Sequence, residues 1–183
     1  GMVVFAGDAY VQLPITTDYN AAKMFLSSIN TQMVPYQGTA IGSAIDLAIK
    51  SFGTNKTDAG RAIIVLTDGE NHEDNAVEAA KLAADNGINI FVIGMGTPEG
   101  APIPIGGTVS FKKDKSGNVV VSKLNEEMAA DIARAGNGLY VRADNSDGAL
   151  KNISKQLDNL AKAELEQKVY AQYNEQFQSF AYV

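Results

Sequence analysis

Residues 63–74 read IIVLTDGENHED, and this stretch decides the fold of the chain. Four apolar residues run directly into a cluster of side chains that carry oxygen. A short apolar run is typical of a strand buried on both faces of a parallel sheet. Ligands of such sheets bind beyond the carboxyl ends of the strands, where Asp68 falls. Two interpretations stay open: the acidic residues hold a cation, or they cap and solvate the start of the next helix.

Strand-like and helix-like segments alternate on both sides of this stretch. The expected strands are 2–5, 9–15, 61–66, 88–95 and 138–142. The expected helices are 19–29 with Asp18 as its cap, one after Thr39 that ends near Gly53, 76–86, one after Asn125, and a long one from about 146. Apolar residues recur at helical spacing in each of these helices. The alternation predicts a doubly wound, mostly parallel α/β sheet with helices on both faces.

A segment rich in proline and glycine, residues 97–123, interrupts this rhythm. Its second part, 107–123, alternates apolar and polar residues around a turn at 114–117. This pattern predicts a β-hairpin inserted between two elements of the core.

Composition excludes several classes of function. The chain has 183 residues, enough for one domain, with a formal net charge of -6 and no basic block, so nucleic acid is an unexpected partner. No cysteine is present, which excludes disulfides and thiol chemistry. Neither GxxxxGK[ST] nor GxGxxG occurs, so no glycine loop binds a nucleotide phosphate. His72 is the single histidine and a poor candidate for a catalytic base.

Four segments together resemble the von Willebrand factor A (VWA) domain: VVFAGDAYVQLPIT, GTAIGSAI, IIVLTDGENHE and INIFVIGMG. Within that family the chain is most similar to the Bat aerotolerance-type bacterial membrane proteins, through VVFAGDA, LTDGE-H and an insert ending NVVVSKLNEE. The resemblance implies a VWA/Rossmann-like domain over residues 1–163. It also implies that a helical segment, 164–183, leads toward a membrane span outside the chain.

The resemblance implies a metal-ion-dependent adhesion site for Mg²⁺ or Mn²⁺. Thr39 matches the threonine of the family's second loop, and Asp68 matches the aspartate of its third loop. The Asp-x-Ser-x-Ser element of the family's first strand is absent from this sequence. We therefore expect the chain to lack the first central strand and first helix, and to bind metal weakly or not at all. Two strand edges would then be unpaired, which favours a strand-exchanged homodimer.

The implied function is metal-dependent protein–protein interaction, in which Mg²⁺ bridges to an Asp or Glu of a partner. The resemblance also implies a protein anchored in the bacterial inner membrane, with this domain in the periplasm. Other Bat-like subunits and a MoxR-type ATPase are the implied partners. The alternative is a metal-assisted phosphohydrolase built on Asp68 and Glu70, but the further acidic cluster that this chemistry needs is missing.

Simpler interpretations of the same residues remain open. Thr39 is also compatible with an ordinary helix cap, and Ser43 with a helix surface. Glu70, Glu73 and Asp74 are compatible with a solvated acidic rim. The aromatic residues of the C-terminal tail fit either a helix face that packs on the domain or an interfacial belt before a membrane span. They are Tyr170, Tyr173, Phe177, Phe180 and Tyr182.

Overall fold

The computed structural model describes most of the chain. The described residues are 1–31, 33–53, 60–68, 75–105, 110–114, 116–143, 148 and 151–160. The predicted segment 164–183 lies outside them, as do Glu70, His72, Glu73 and Asp74.

Seven strands and five helices form the described part of the chain. The strands are β1 (Met2–Phe5), β2 (Ala9–Leu13), β3 (Arg61–Thr67), β4 (Ile88–Gly94), β5 (Ala101–Pro102), β6 (Val121–Ser122) and β7 (Tyr140–Arg142). The helices are α1 (Tyr19–Ser28), α2 (Ile41–Ser51), α3 (Ala76–Asp85), α4 (Glu126–Ala135) and α5 (151–160). The predicted strands of the core and the first four predicted helices are confirmed to within one or two residues at their ends, and the fifth predicted helix is helical over 151–160.

The central sheet is parallel, with strand order β3-β4-β7. Ile64 lies opposite Phe91 and Leu66 opposite Ile93, while Val92 lies opposite Tyr140. β1 and β2 form a separate antiparallel hairpin. Among the described strands, β1 pairs only with β2 and β3 only with β4. The segments VVFAG and IIVLTDG therefore lie in separate sheets.

Both faces of the sheet carry helices, as the sequence predicts. The larger core brings residues of α2, α3 and α4 together with one face of β3 and β4. Phe5 of β1 packs against this core, which joins the separate hairpin to the domain. On the opposite face, Ile153 of α5 packs with Phe91 and Ile93 of β4.

On that opposite face, two large side chains of β3 are exposed. Ile64 is 42% and Leu66 is 57% exposed, although both are large apolar residues of a central strand. Their parallel neighbours Phe91 and Ile93 are buried under α5. The β3 edge therefore combines a free hydrogen-bonding side, within the described strands, with an apolar surface that no described helix shields.

Helix α1 departs from the expectation drawn from its apolar spacing. Asp18 caps it as predicted, because its carboxylate accepts hydrogen bonds from the backbone N–H groups of Asn20 and Ala21. However, α1 buries no residue, and Leu26, one of its regularly spaced apolar residues, is 61% exposed. Spacing shows which residues share a helix face, but another element must cover that face before it becomes core.

The insert is also more extensive than a simple hairpin. Residues 110–114 and 119–122 form its predicted arms, and the proline-containing segment 101–105 adds a third. Ala101 lies opposite Ser122, and Pro104 lies opposite Phe111. Prolines fit this outer strand because they need no donor on its free side.

Candidate metal-ion site

Asp68 lies directly after β3, at the carboxyl edge of the central sheet, and is half-buried. The hydroxyl of Ser122, at the end of the insert, donates to its Oδ2 atom at 3.0 Å. The backbone N–H of Asn125, the residue that caps α4, donates to the Asp68 carbonyl at 2.9 Å. The insert thus holds the carboxylate of Asp68, and the start of α4 holds its backbone.

Thr39 lies in the loop that leads into α2, and it is half-buried. It does not cap the helix, because Ala40 occupies the capping position. The interpretation of Thr39 as a helix cap is therefore wrong. The backbone N–H of Ala40 donates to the carbonyl of Ala6 at 2.7 Å, so the end of β1 holds this loop in place.

Gly7 has a specific role in this contact between the β1–β2 turn and the loop before α2. A Cβ atom there would lie 2.9 Å from the carbonyl oxygen of Gln37. The Gly7 N–H donates to the Tyr36 carbonyl at 2.9 Å. The close approach of two backbones explains why glycine occupies this position.

A second polar cluster lies beside the ends of β4 and β7. The Tyr140 hydroxyl donates to Oε1 of Glu126 at 2.9 Å, and Nη1 of Arg142 lies 3.7 Å from the same oxygen. A Cβ atom on Gly94 would lie 2.7 Å from the Tyr140 hydroxyl, so the ring needs glycine at this point of β4. The cluster joins the start of α4 to β7.

Burial, followed by the hydrogen bond and the negative charge of Glu126, raises the pKa of Tyr140 to about 12. A tyrosine of this pKa stays protonated at neutral pH and acts as a hydrogen-bond donor rather than as a general base. The cluster accordingly links the start of α4 to β7 through a protonated tyrosine.

The Tyr140→Phe variant should lack an ionisation step near pH 12. The folded pKa lies above the value of about 10 for a free tyrosine, so the stabilisation is fully present below pH 10 and lost as the pH rises through 12. Ultraviolet difference titration at the tyrosinate band against the parent chain measures the step. Tyr19→Phe, at a site that is 79% exposed, should retain it. A step near pH 12 that persists in Tyr140→Phe contradicts the assignment.

The two predicted ligands have the chemistry that a hard dication prefers, but they are too few to fill its coordination shell. A hydroxyl and a carboxylate are the oxygen ligands that Mg²⁺ and Mn²⁺ prefer, and an octahedron has six positions. Within the described residues, no group of three or more His, Cys, Asp or Glu side chains could hold a metal ion. Two side chains, Thr39 and Asp68, are therefore too few to fill such a coordination shell by themselves.

Sequence reasoning missed Ser122. It lies 54 residues from Asp68 and belongs to an insert that the sequence presents as a separate hairpin. No spacing relates residue 122 to residue 68, so only the folded chain reveals the contact. It is also the contact by which the insert reaches the candidate site.

The fold and the position of Asp68 define a class of protein. The model of the von Willebrand factor type A domain matches residues 1–156, so the chain belongs to that family. The chain is similar to the conserved hypothetical protein BatB from Bacteroides thetaiotaomicron, with 59% identity and a TM-score of 0.85. That match covers 88% of this chain and 78% of the other.

Two further relatives extend this comparison. An aerotolerance-related membrane protein from Bacteroides fragilis NCTC 9343 is 55% identical, with a TM-score of 0.82, over 87% of this chain and 78% of the other. An uncharacterized protein of Borreliella burgdorferi is 28% identical over 178 residues, which are 92% of this chain and 48% of that protein. The chain thus spans about half the length of the curated relative. Among the described residues, no helix is both long and apolar enough to cross a membrane.

Proposed function

We propose that the chain is a protein-binding domain that holds a carboxylate of its partner through Mg²⁺ or Mn²⁺. Domains of this family generally mediate protein–protein interaction and are generally not enzymes. The observation that carries the proposal is the placement of Asp68, half-buried at the carboxyl edge of the sheet with its carboxylate held by Ser122. Thr39 would supply a hydroxyl ligand. The metal would neutralise Asp68 and leave a coordination position for the partner's Asp or Glu.

Calorimetric titration with Mg²⁺ and with Mn²⁺ tests this proposal. Two proteins are compared: this chain, and the chain extended at its N-terminus by an Asp-x-Ser-x-Ser strand and the helix that follows it. The extended protein should bind, and this chain should bind weakly or not at all, because only the first has enough oxygen ligands. If neither protein binds either metal, the metal-dependent mechanism is refuted and Asp68 is a structural residue of the loop.

Ser122→Ala in the extended protein should weaken metal binding about tenfold. Groups that hydrogen-bond to a ligating carboxylate orient it, and their loss typically costs 10- to 100-fold in metal affinity. Ser122→Thr should restore binding because it keeps the hydroxyl. Ser116→Ala, in the exposed turn of the insert, is the control and should leave the affinity unchanged. Equal affinity in Ser122→Ala and the parent protein would show that the hydrogen bond does not support the site.

A second copy of the chain is the proposed occupant of the β3 edge. Support comes from the exposed Ile64 and Leu66 and from the lack of pairing between β1 and β3. Unpaired apolar edges associate readily with another strand, and a lysine placed on them opposes this association.

Light scattering should therefore detect a dimer of this chain, and Leu66→Lys should shift the equilibrium toward monomer. Leu82→Lys, on an exposed position of α3, should not. A chain that is monomeric at all concentrations contradicts the proposal.

The names of the two Bacteroides relatives support a membrane-anchored Bat-type protein. We infer that the domain belongs to a protein of the bacterial inner membrane, lies on the periplasmic side, and works with other Bat-like subunits and a MoxR-type ATPase. Protease added to intact spheroplasts should cleave the domain in the full-length protein. Complete protection until the membrane is lysed would place the domain on the cytoplasmic side instead.

A further inference from the structure

The insert has two faces with different environments. Side chains alternate between the faces of a sheet, and directly opposed residues share a face. The inner face carries Ile103, Val120 and Ser122, which are half-buried, and Ser122 contacts Asp68. Backbone hydrogen bonds of 2.8 Å, from Lys112 N–H to the Ile103 carbonyl and from Val120 N–H to the Lys112 carbonyl, join the three segments. The insert is therefore a small three-segment sheet seated beside the candidate site.

The outer face of the insert is apolar and exposed. Val121 lies opposite Pro102, Phe111 opposite Pro104, and Val119 opposite Lys113, so these six residues share one face. Phe111 is 42%, Val119 44% and Val121 45% exposed. An antiparallel sheet normally presents polar residues to solvent. A contiguous apolar face on such a sheet, rimmed by charges, marks an interaction surface.

The charge of the insert indicates the chemistry of the partner. Residues 97–123 contain four lysines against two acidic residues, whereas the whole chain has a formal net charge of -6. One of the two acidic residues, Asp114, accepts hydrogen bonds from the backbone N–H groups of Asn118 and Ser116, which lower the pKa of its carboxyl group. Its carboxylate caps the turn. Lys113, which shares the outer face, and Lys123, which directly follows β6, are exposed. The insert is thus a basic surface on an acidic protein.

We propose that the outer face of the insert, defined by Pro102, Pro104, Phe111, Lys113, Val119 and Val121, binds a segment of a partner protein that carries apolar side chains flanked by Asp or Glu. The apolar side chains would pack on Phe111 and the two valines. The flanking carboxylates would pair with the lysines at the rim, which favours this partner over a neutral or basic one. Because none of these six residues is a predicted metal ligand, the proposal does not depend on metal binding at Asp68.

Other occupants fit the surface less well. A hairpin that inserts into a bilayer needs apolar residues at its tip, but the tip here contains Asp114, Ser116 and Asn118. The apolar residues lie on the flank instead. If the partner were a second copy of this chain, two basic faces would meet, and repulsion between their like charges would oppose binding. A protein segment with acidic residues satisfies both the shape and the charge of the face.

Binding to an array of synthetic 12-residue peptides tests the proposal. The peptides form three sets, and every peptide contains four apolar residues. These residues are flanked by glutamate in the first set, by serine in the second and by lysine in the third. The chain should bind members of the glutamate set at least about tenfold more tightly than matched members of the lysine set. Phe111→Ser should abolish this binding, and Lys113→Glu should reduce the preference for glutamate. Tyr36→Ser and Lys81→Glu, at exposed positions outside the insert, are the matched controls and should change nothing.

Four outcomes would overturn the proposal. The first is that no glutamate peptide binds; the second is that Phe111→Ser binds as well as the parent chain. The third is that the chain sediments with anionic lipid vesicles and Phe111→Ser does not, because the face would then bind a membrane. The fourth is a dimer that Phe111→Ser dissociates, because the face then binds a second copy. Peptide binding is measured without divalent metal, so this proposal and the metal-site proposal fail independently.

Discussion

Asp68→Ala should abolish Mg²⁺ and Mn²⁺ binding in the chain extended by an Asp-x-Ser-x-Ser strand, with a loss of affinity of at least about 100-fold. Loss of a group that merely orients a ligand costs 10- to 100-fold, and loss of the ligating carboxylate itself should cost more. The removed charge is also the one that attracts the dication to the carboxyl edge of the sheet. Calorimetric titration of parent and variant, under identical salt, measures the difference.

The matched control for this experiment is Asp85→Ala. Asp85 is an exposed aspartate at the last position of α3, so its removal takes away the same charge at a different place. The control should bind metal like the parent protein. If Asp68→Ala binds as tightly as Asp85→Ala, the metal is held elsewhere and the assignment of Asp68 is wrong.

Gly138→Ala should destabilise the fold by about 3 kcal/mol or more. A Cβ atom at this position would lie 1.9 Å from the carbonyl oxygen of Ile90, far inside van der Waals contact. Ile90 cannot move away, because it is fully buried and its N–H donates to the Gly136 carbonyl at 2.8 Å. Overpacking in a rigid core typically costs 1 to 3 kcal/mol, and a contact with backbone lies at or beyond the upper end.

Denaturant unfolding followed by circular dichroism measures this loss. Gly117→Ala is the control, since its Cβ would meet nothing within 4 Å although its φ is +86°. That variant should lose only about 1 to 2 kcal/mol, from the cost of a left-handed backbone. Equal losses in the two variants would show that the Ile90 contact does not determine the effect.

Local sequence signals were sufficient for the capped helices. Asp18 and Asn125 each bond to backbone N–H groups within three residues of themselves. Such a contact depends only on neighbouring residues, so the sequence contains it in full. The apolar run of β4 was an equally clear signal of a strand. The last five residues of β4 are buried, on both faces of the sheet, and leave no room for polar side chains.

Half of the candidate site could also be predicted from the sequence. Asp68 follows an apolar strand, and its place at the carboxyl edge follows from the rules of parallel sheets. Thr39 depended on the family resemblance, and the structure removed its competing role by giving the capping position to Ala40. The roles of both residues as ligands stay predictions that the metal titrations will test.

The sequence by itself thus determined the order of strands and helices, the helix caps and the position of Asp68, because each depends on periodicity or on near neighbours. Only the tertiary structure decided which apolar surfaces are covered, leaving Leu66 and Leu26 exposed. It also brought Ser122 to Asp68 across 54 residues and pressed Gly138 against Ile90. These contacts arise where separate segments pack together, and the chemistry of either segment alone does not specify its partner.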